Sequence, residues 1–188
     1  LRYSLNVIPI LPLDTLKQPN FDEYPEDTFK NVEYKNLKNR DISPYCRNVI
    51  DVMYSYVNSP KRYIYVFIQV QDLEVGKNTS GTGHWHLDSS LNPDCAYENY
   101  IFITGFHNAT EFFKTPIEIE TATSSAHFNQ QIEAQYDKER DSQLLEPATI
   151  YAYNGSNVHR GRTVKVAERR MLIRVSNTDK KLTTYNML

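Results

Sequence analysis

Cysteine, glycine and long apolar runs are all scarce in this 188-residue chain. The two cysteines, Cys46 and Cys95, make neither a metal-site spacing nor a disulfide framework, so both are expected as reduced thiols, one on a helix and one in a loop. Six glycines and nine prolines are too few for a disordered or fibrous chain. No apolar stretch reaches the roughly 18 residues that a membrane-spanning helix needs. The opening segment, interrupted by Pro9 and Pro12, is too short for a secretory signal. Neither charge dominates: 21 Lys and Arg stand against 23 Asp and Glu, a net charge of −2. There is no basic footprint of a dedicated nucleic-acid binder, although His159-Arg160-Gly161-Arg162 and Arg169-Arg170 gather cations locally. A cytoplasmic protein is the expectation, with a small molecule or a side chain as substrate if it is an enzyme.

What is present leans towards β structure. The 14 tyrosines and 8 phenylalanines fit a pleated, half-buried surface, and the length suits one domain with a substantial core. Residues 1–40, rich in Pro, Asn, Asp and Lys, read as an irregular arm with one or two strands. Ser43 as N-cap and Pro44 in the first turn open a helix that Asn58-Ser59-Pro60 closes. Within it Tyr45, Val49, Ile50, Met53, Tyr56 and Val57 recur at helical spacing. The run from Arg62 to Val70 then changes period: Ile64, Val66, Ile68 and Val70 share one face, and Tyr63, Tyr65 and Phe67 the other. Such a strand is covered on both sides.

Further strands are expected at Asn99 to Thr104, Glu111 to Phe113, Ile117 to Glu120, Thr149 to Tyr153 and Arg170 to Ser176, with a helix over Asn129 to Glu139. Many short strands behind one helix predict a mainly β chain. The expected architecture is a double-stranded β-helix (a jelly-roll, cupin-like barrel) over residues 61–177 with flanking α-helices.

His86-Leu87-Asp88 carries the first chemistry. On an extended segment, residues two apart point to the same side, so an imidazole and a carboxylate would face one point while Leu87 packs away. His-x-Asp also arises by chance, as a histidine held by a neighbouring carboxylate. His159, beyond a strand and the turn Asn154 to Asn157, supplies a third ligand from elsewhere in the fold. Two histidines and one carboxylate are the facial ligand set of non-haem Fe(II). The alternative for His159 is a surface residue in a basic loop.

Glu168 to Ser176 places Arg170, Leu172, Arg174 and Ser176 on one face and Arg169, Met171, Ile173 and Val175 on the other. Two arginines facing an interior are costly unless an anion meets them, and the guanidinium fork matches a carboxylate. A solvated edge strand is the other reading. His84-Trp85-His86 also resembles the His-x-His of a cupin, but Ser89 to Asn92 hold no following glutamate. His84 is therefore expected as a loop or cavity residue, and His107 and His127 as solvent-facing.

Together, His86-x-Asp88, His159 and Arg170/Arg174 resemble the iron- and 2-oxoglutarate-dependent dioxygenases, in particular the taurine dioxygenase and clavaminate synthase-like branch. The likeness covers about residues 84–177. It implies Fe(II) on His86, Asp88 and His159, and 2-oxoglutarate as co-substrate. Arg170 would sit on its far carboxylate, Arg174 near its keto-acid end or the substrate, and Thr110 as an additional partner. Hydroxylation with release of succinate and CO2 is the implied activity. The chain departs from the branch in its shorter length and in Glu168, where a Gln precedes the paired arginines. A cupin-like metal protein without a keto acid, or a non-enzymatic jelly-roll binding module, remain the competing readings.

Overall fold

A computed structural model describes residues 1–5, 9–25, 28–79, 83–88, 91, 93–94, 96–183 and 185–187. The arm contributes three strands: β1 (Arg2–Leu5), β2 (Leu11–Thr15) and β3 (Thr28–Glu33). Helix α1 (Pro44–Ser55) follows, then the long strand β4 (Tyr63–Leu73). Next come β5 (Glu98–Ile103), β6 (Glu111–Phe113) and β7 (Ile117–Glu120). Two helices, α2 (Ser125–Glu133) and α3 (Lys138–Asp141), precede β8 (Ser142–Leu144) and β9 (Thr149–Asn154). The chain then forms β10 (His159–Arg160), β11 (Glu168–Thr178) and β12 (Tyr185–Met187).

All strand pairs are antiparallel. Seven strands form one sheet in the order β12-β3-β4-β11-β5-β9-β2; β10-β6-β8 and β1-β7 form two smaller ones. Met171, Ile173 and Val175 of β11 and Val66 and Ile68 of β4 are buried against Cys46, Val49, Ile50 and Met53 of α1. The opposite face of the large sheet, through Ile101, Ile103, Tyr151 and Tyr153, packs on Phe112 of β6. Phe113, Ile117 and Ile119 then bury the outer side of the small sheets against Phe128 and Ile132 of α2. The chain is thus mainly β, with two layers of antiparallel sheet and a helix on each outer face.

Three expectations need correction. The arm over 1–40 is not irregular: β1, β2 and β3 pair with β7, β9 and β4, so the sheets extend beyond residues 61–177. The helix expected over Asn129 to Glu139 is two helices, because Ser124 caps α2 through the His127 amide while Asp137 caps a new start by accepting from Glu139 and Arg140. Helix α1 ends at Ser55 rather than near Asn58, closed by Tyr56 N–H donating to Met53. Ser43 does cap it, accepting from the Cys46 amide at 3.2 Å. Cys46 is a buried free thiol on that helix; Cys95 lies outside the described residues. Among the described residues no helix is long and apolar enough to cross a membrane.

Candidate metal centre

Strand register builds the site. An isolated antiparallel bridge joins His86 to His159: His86 N–H donates to the His159 carbonyl at 2.9 Å, and His159 N–H to the His86 carbonyl at 3.1 Å. Their side chains emerge as close neighbours, with ring centroids 4.4 Å apart. Leu87, between the ligands, packs with Trp85 into the second core, as the alternation requires. Phe112, cross-strand partner of His159, stacks on its ring at 4.9 Å.

One ligand atom from each of His86, Asp88 and His159 lies within 4.8 Å of the others, a group able to hold a metal ion. The tautomers suit this role. His86 Nδ1 lies 2.9 Å from the His84 carbonyl, and His159 Nδ1 lies 3.1 Å from the Asn157 carbonyl. A carbonyl only accepts, so each Nδ1 carries a proton, which leaves each Nε2 as the ring atom available to a metal. Burial, reinforced by the facing His159 ring, pushes the His86 imidazole down to about 4, so it stays neutral as a ligand must. His84 contributes only its backbone; its ring is exposed.

Asp88 is fixed by three neighbouring strands. Ser176 on β11 and Tyr153 on β9 both flank Asn99 on β5 in register. The Ser176 hydroxyl donates to Asn99 Oδ1 at 2.6 Å, which turns the Asn99 amide nitrogen towards Asp88 Oδ2 at 3.0 Å. Tyr153 donates to the same oxygen at 2.5 Å. Oδ1 faces His159 Nε2 at 3.6 Å and accepts from Arg174 at 2.9 Å. Burial works to raise the Asp88 carboxyl, but Arg174 and His159 override it and hold the group well below the usual carboxylate range.

The two arginines prove unlike. Arg174 spends its charge on Asp88 and lies over Phe67, its cross-strand neighbour, at 5.3 Å. The anion that meets Arg174 is thus the site's own carboxylate, Asp88. Arg170 is 3% exposed and, among the described residues, has no carboxylate on its guanidinium. It donates to three neutral oxygens: the Asn108 carbonyl at 3.0 Å, the Thr79 carbonyl at 3.1 Å and Gln71 Oε1 at 3.2 Å. Its Nε–H, like that of Arg174, has no acceptor among the described residues. Burial pulls this guanidinium down to about 10, and the nearby Glu168 charge offsets only part of that.

His86, Asp88, Thr110, His159, Arg170 and Arg174 all line one cavity of about 370 Å³, within the range of small-molecule pockets. All six residues singled out in the sequence thus come together. A larger hollow of about 550 Å³ beside Phe21, Phe106 and Arg169 gathers no set of metal-ligating side chains among the described residues. His107 is exposed; His127 is half-buried on α2, within reach of the Thr123 hydroxyl at 3.3 Å. Sequence reasoning missed Asn99, Tyr153, Gln71 and Asn108, which carry no motif and act through register and loop placement alone. Comparison with protein-family models and with curated proteins returns no match for this chain.

Proposed function

We propose that the chain is a non-haem Fe(II)- and 2-oxoglutarate-dependent oxygenase of the hydroxylating type, built on a double-stranded β-helix. The observation that carries this reading is the buried Arg170, with no carboxylate in contact among the described residues, in the same cavity as two histidines and an ionised aspartate. A mononuclear metal protein needs no such cation; one that also binds an anionic co-substrate does.

The donor set fits the group. Two imidazoles and one carboxylate suit Fe(II) and leave positions for a chelating co-substrate and dioxygen. When bound, Fe(II) with 2-oxoglutarate and dioxygen supplies the oxidising power to hydroxylate a C–H bond, releasing succinate and CO2. The chain's own residues do the rest. The His84 and Asn157 carbonyls orient the two imidazoles; Asn99, Tyr153 and Arg174 hold Asp88 ionised and aimed. Arg170, with Thr110 lining the same cavity, receives the far carboxylate. Phe67, Ile101 and Leu172 form apolar wall that limits water in the cavity.

The test is anaerobic addition of Fe(II) and 2-oxoglutarate, watching for the visible charge-transfer band of an iron-chelated keto acid. Wild type should develop the band and His86→Ala should not. Arg170→Ala should weaken 2-oxoglutarate at least tenfold while leaving Fe(II) affinity nearly unchanged. Folded wild type that binds Fe(II) without a band would instead be a metal protein that uses no keto acid.

A further inference from the structure

Glu168, the residue that departs from the resembling branch, makes an arrangement that a glutamine cannot reproduce. Its carboxylate accepts four hydrogen bonds from one short loop. Oε2 takes the Phe106 amide at 2.9 Å. Oε1 takes the His107 amide at 3.2 Å, the Asn108 amide at 3.0 Å and the Asn108 side-chain nitrogen at 2.7 Å. The approach depends on Gly105, at φ +94°: a Cβ there would lie 2.9 Å from the Glu168 carboxyl carbon. The side chain of Asn108 is stitched further, donating to the Val166 carbonyl at 2.9 Å and accepting from the Lys165 amide at 3.3 Å. Its backbone carbonyl then accepts from Arg170 at 3.0 Å.

We propose that Glu168 is a positioning residue for the Arg170 anion site, acting through Asn108. The proposal rests on the reading of Arg170 as the partner of the co-substrate's far carboxylate. Arg170 is gripped by three neutral carbonyl-type oxygens, and the Asn108 oxygen is the one set by this loop. Fixing it holds in place a guanidinium that lines the cavity and whose Nε–H has no acceptor among the described residues. A carboxylate is required because every contact accepts. A glutamine amide turned either way would set its own N–H against the Phe106 amide or against the three donors at Oε1.

Positioning and bare electrostatics predict opposite signs. The Glu168 charge is felt at Arg170, so neutralising it would tighten binding of an anion if charge alone mattered. If position matters, Glu168→Gln weakens it. The experiment titrates 2-oxoglutarate into the anaerobic Fe(II) protein and, separately, Fe(II) into metal-free protein, for wild type, Glu168→Gln and Asn108→Ala. Glu168→Gln should weaken 2-oxoglutarate about tenfold and leave Fe(II) affinity within about twofold. Asn108→Ala, which keeps its carbonyl but loses the stitching, should show the same split, and it decides the matter if Glu168→Gln fails to fold. Unchanged or tighter 2-oxoglutarate binding in folded variants would overturn the proposal. If wild type gives no band at all, the proposed function fails, and the positioning claim is read from the Arg170 Nε–H resonance in metal-free ¹⁵N-arginine-labelled protein. That resonance should shift and broaden in Glu168→Gln; an unaltered one overturns the claim.

Discussion

On one face of β11, Met171, Ile173 and Val175 are fully buried against α1 and β4; on the other, Arg170, Leu172 and Arg174 line the cavity that holds the candidate metal ligands. The two faces alternate residue by residue along a central strand, yet their energetics differ in kind. The apolar face contributes roughly 1.5–3 kcal/mol for each large side chain fully buried. The cavity face removes two guanidinium groups from water and recovers that cost through one ion pair, Arg174 with Asp88, and only partly at Arg170. Stability is concentrated on one side of the strand and the candidate site on the other. The strand can carry both because neighbours β4 and β5 fix its register from either side.

The largest expected effect breaks this division. Asp88→Ala should abolish metal binding and also destabilise the fold by about 3–5 kcal/mol, since Arg174 would be left buried and unpaired. Urea unfolding checks this, and Asp88→Ala combined with Arg174→Met should recover most of the loss. A single variant that unfolds like wild type would show that the cavity face is not energetically coupled to the fold.

Next in size is Ile173→Ala, which should cost about 3 kcal/mol through a cavity against α1. Below its unfolding transition it should bind Fe(II) like wild type. A large change in metal affinity would mean that the two faces are not separable.

The smallest effect concerns pH. No titrating group lies at Met171, Ile173 or Val175, so the Ile173→Ala deficit should not vary with pH. Asp141 contrasts with it. Hydrogen bonds from Arg140 hold its carboxyl at about 2 against burial, with help from Thr115. The unfolded chain takes up that proton first, near its ordinary value of about 3.9. The contribution is therefore complete above about pH 4 and lost as pH falls towards 2. With Arg140 60% exposed, solvent screening limits it to about 1 kcal/mol. Asp141→Asn should be destabilised by that amount at pH 7 and match wild type near pH 2 in thermal melts.

Long elements with an unbroken period were legible in the sequence. The alternations of β4 and β11 and the 3.6-residue stripe of α1 each survive because both neighbours of the element are apolar partners. Strand β3 escaped for a physical reason: Asn31 sits at φ +54° and the register shifts between Phe29 and Val32. The two core residues of β3 are thus three apart rather than two, and the pattern disappears. Strand β2 is exposed along its whole length, and β10 has two residues, too few to show a period. At the site, spacing pointed to His86, Asp88 and His159, and alternation to the arginines. Which arginine meets Asp88 could not be read, because it depends on how β4, β11, β5 and β9 align.

The bridge between His86 and His159 also governs when a metal site can exist. Its two hydrogen bonds join distant parts of the chain, so closing it requires the intervening strands to have found their partners. An unfolded chain holds no preformed triad, and an ion that binds only the native state adds its binding free energy to the folding equilibrium. At a free concentration one hundred times its dissociation constant this amounts to about 2.7 kcal/mol. The melting temperature should then rise with metal concentration, making resistance to heat a gauge of occupancy that requires no knowledge of the substrate.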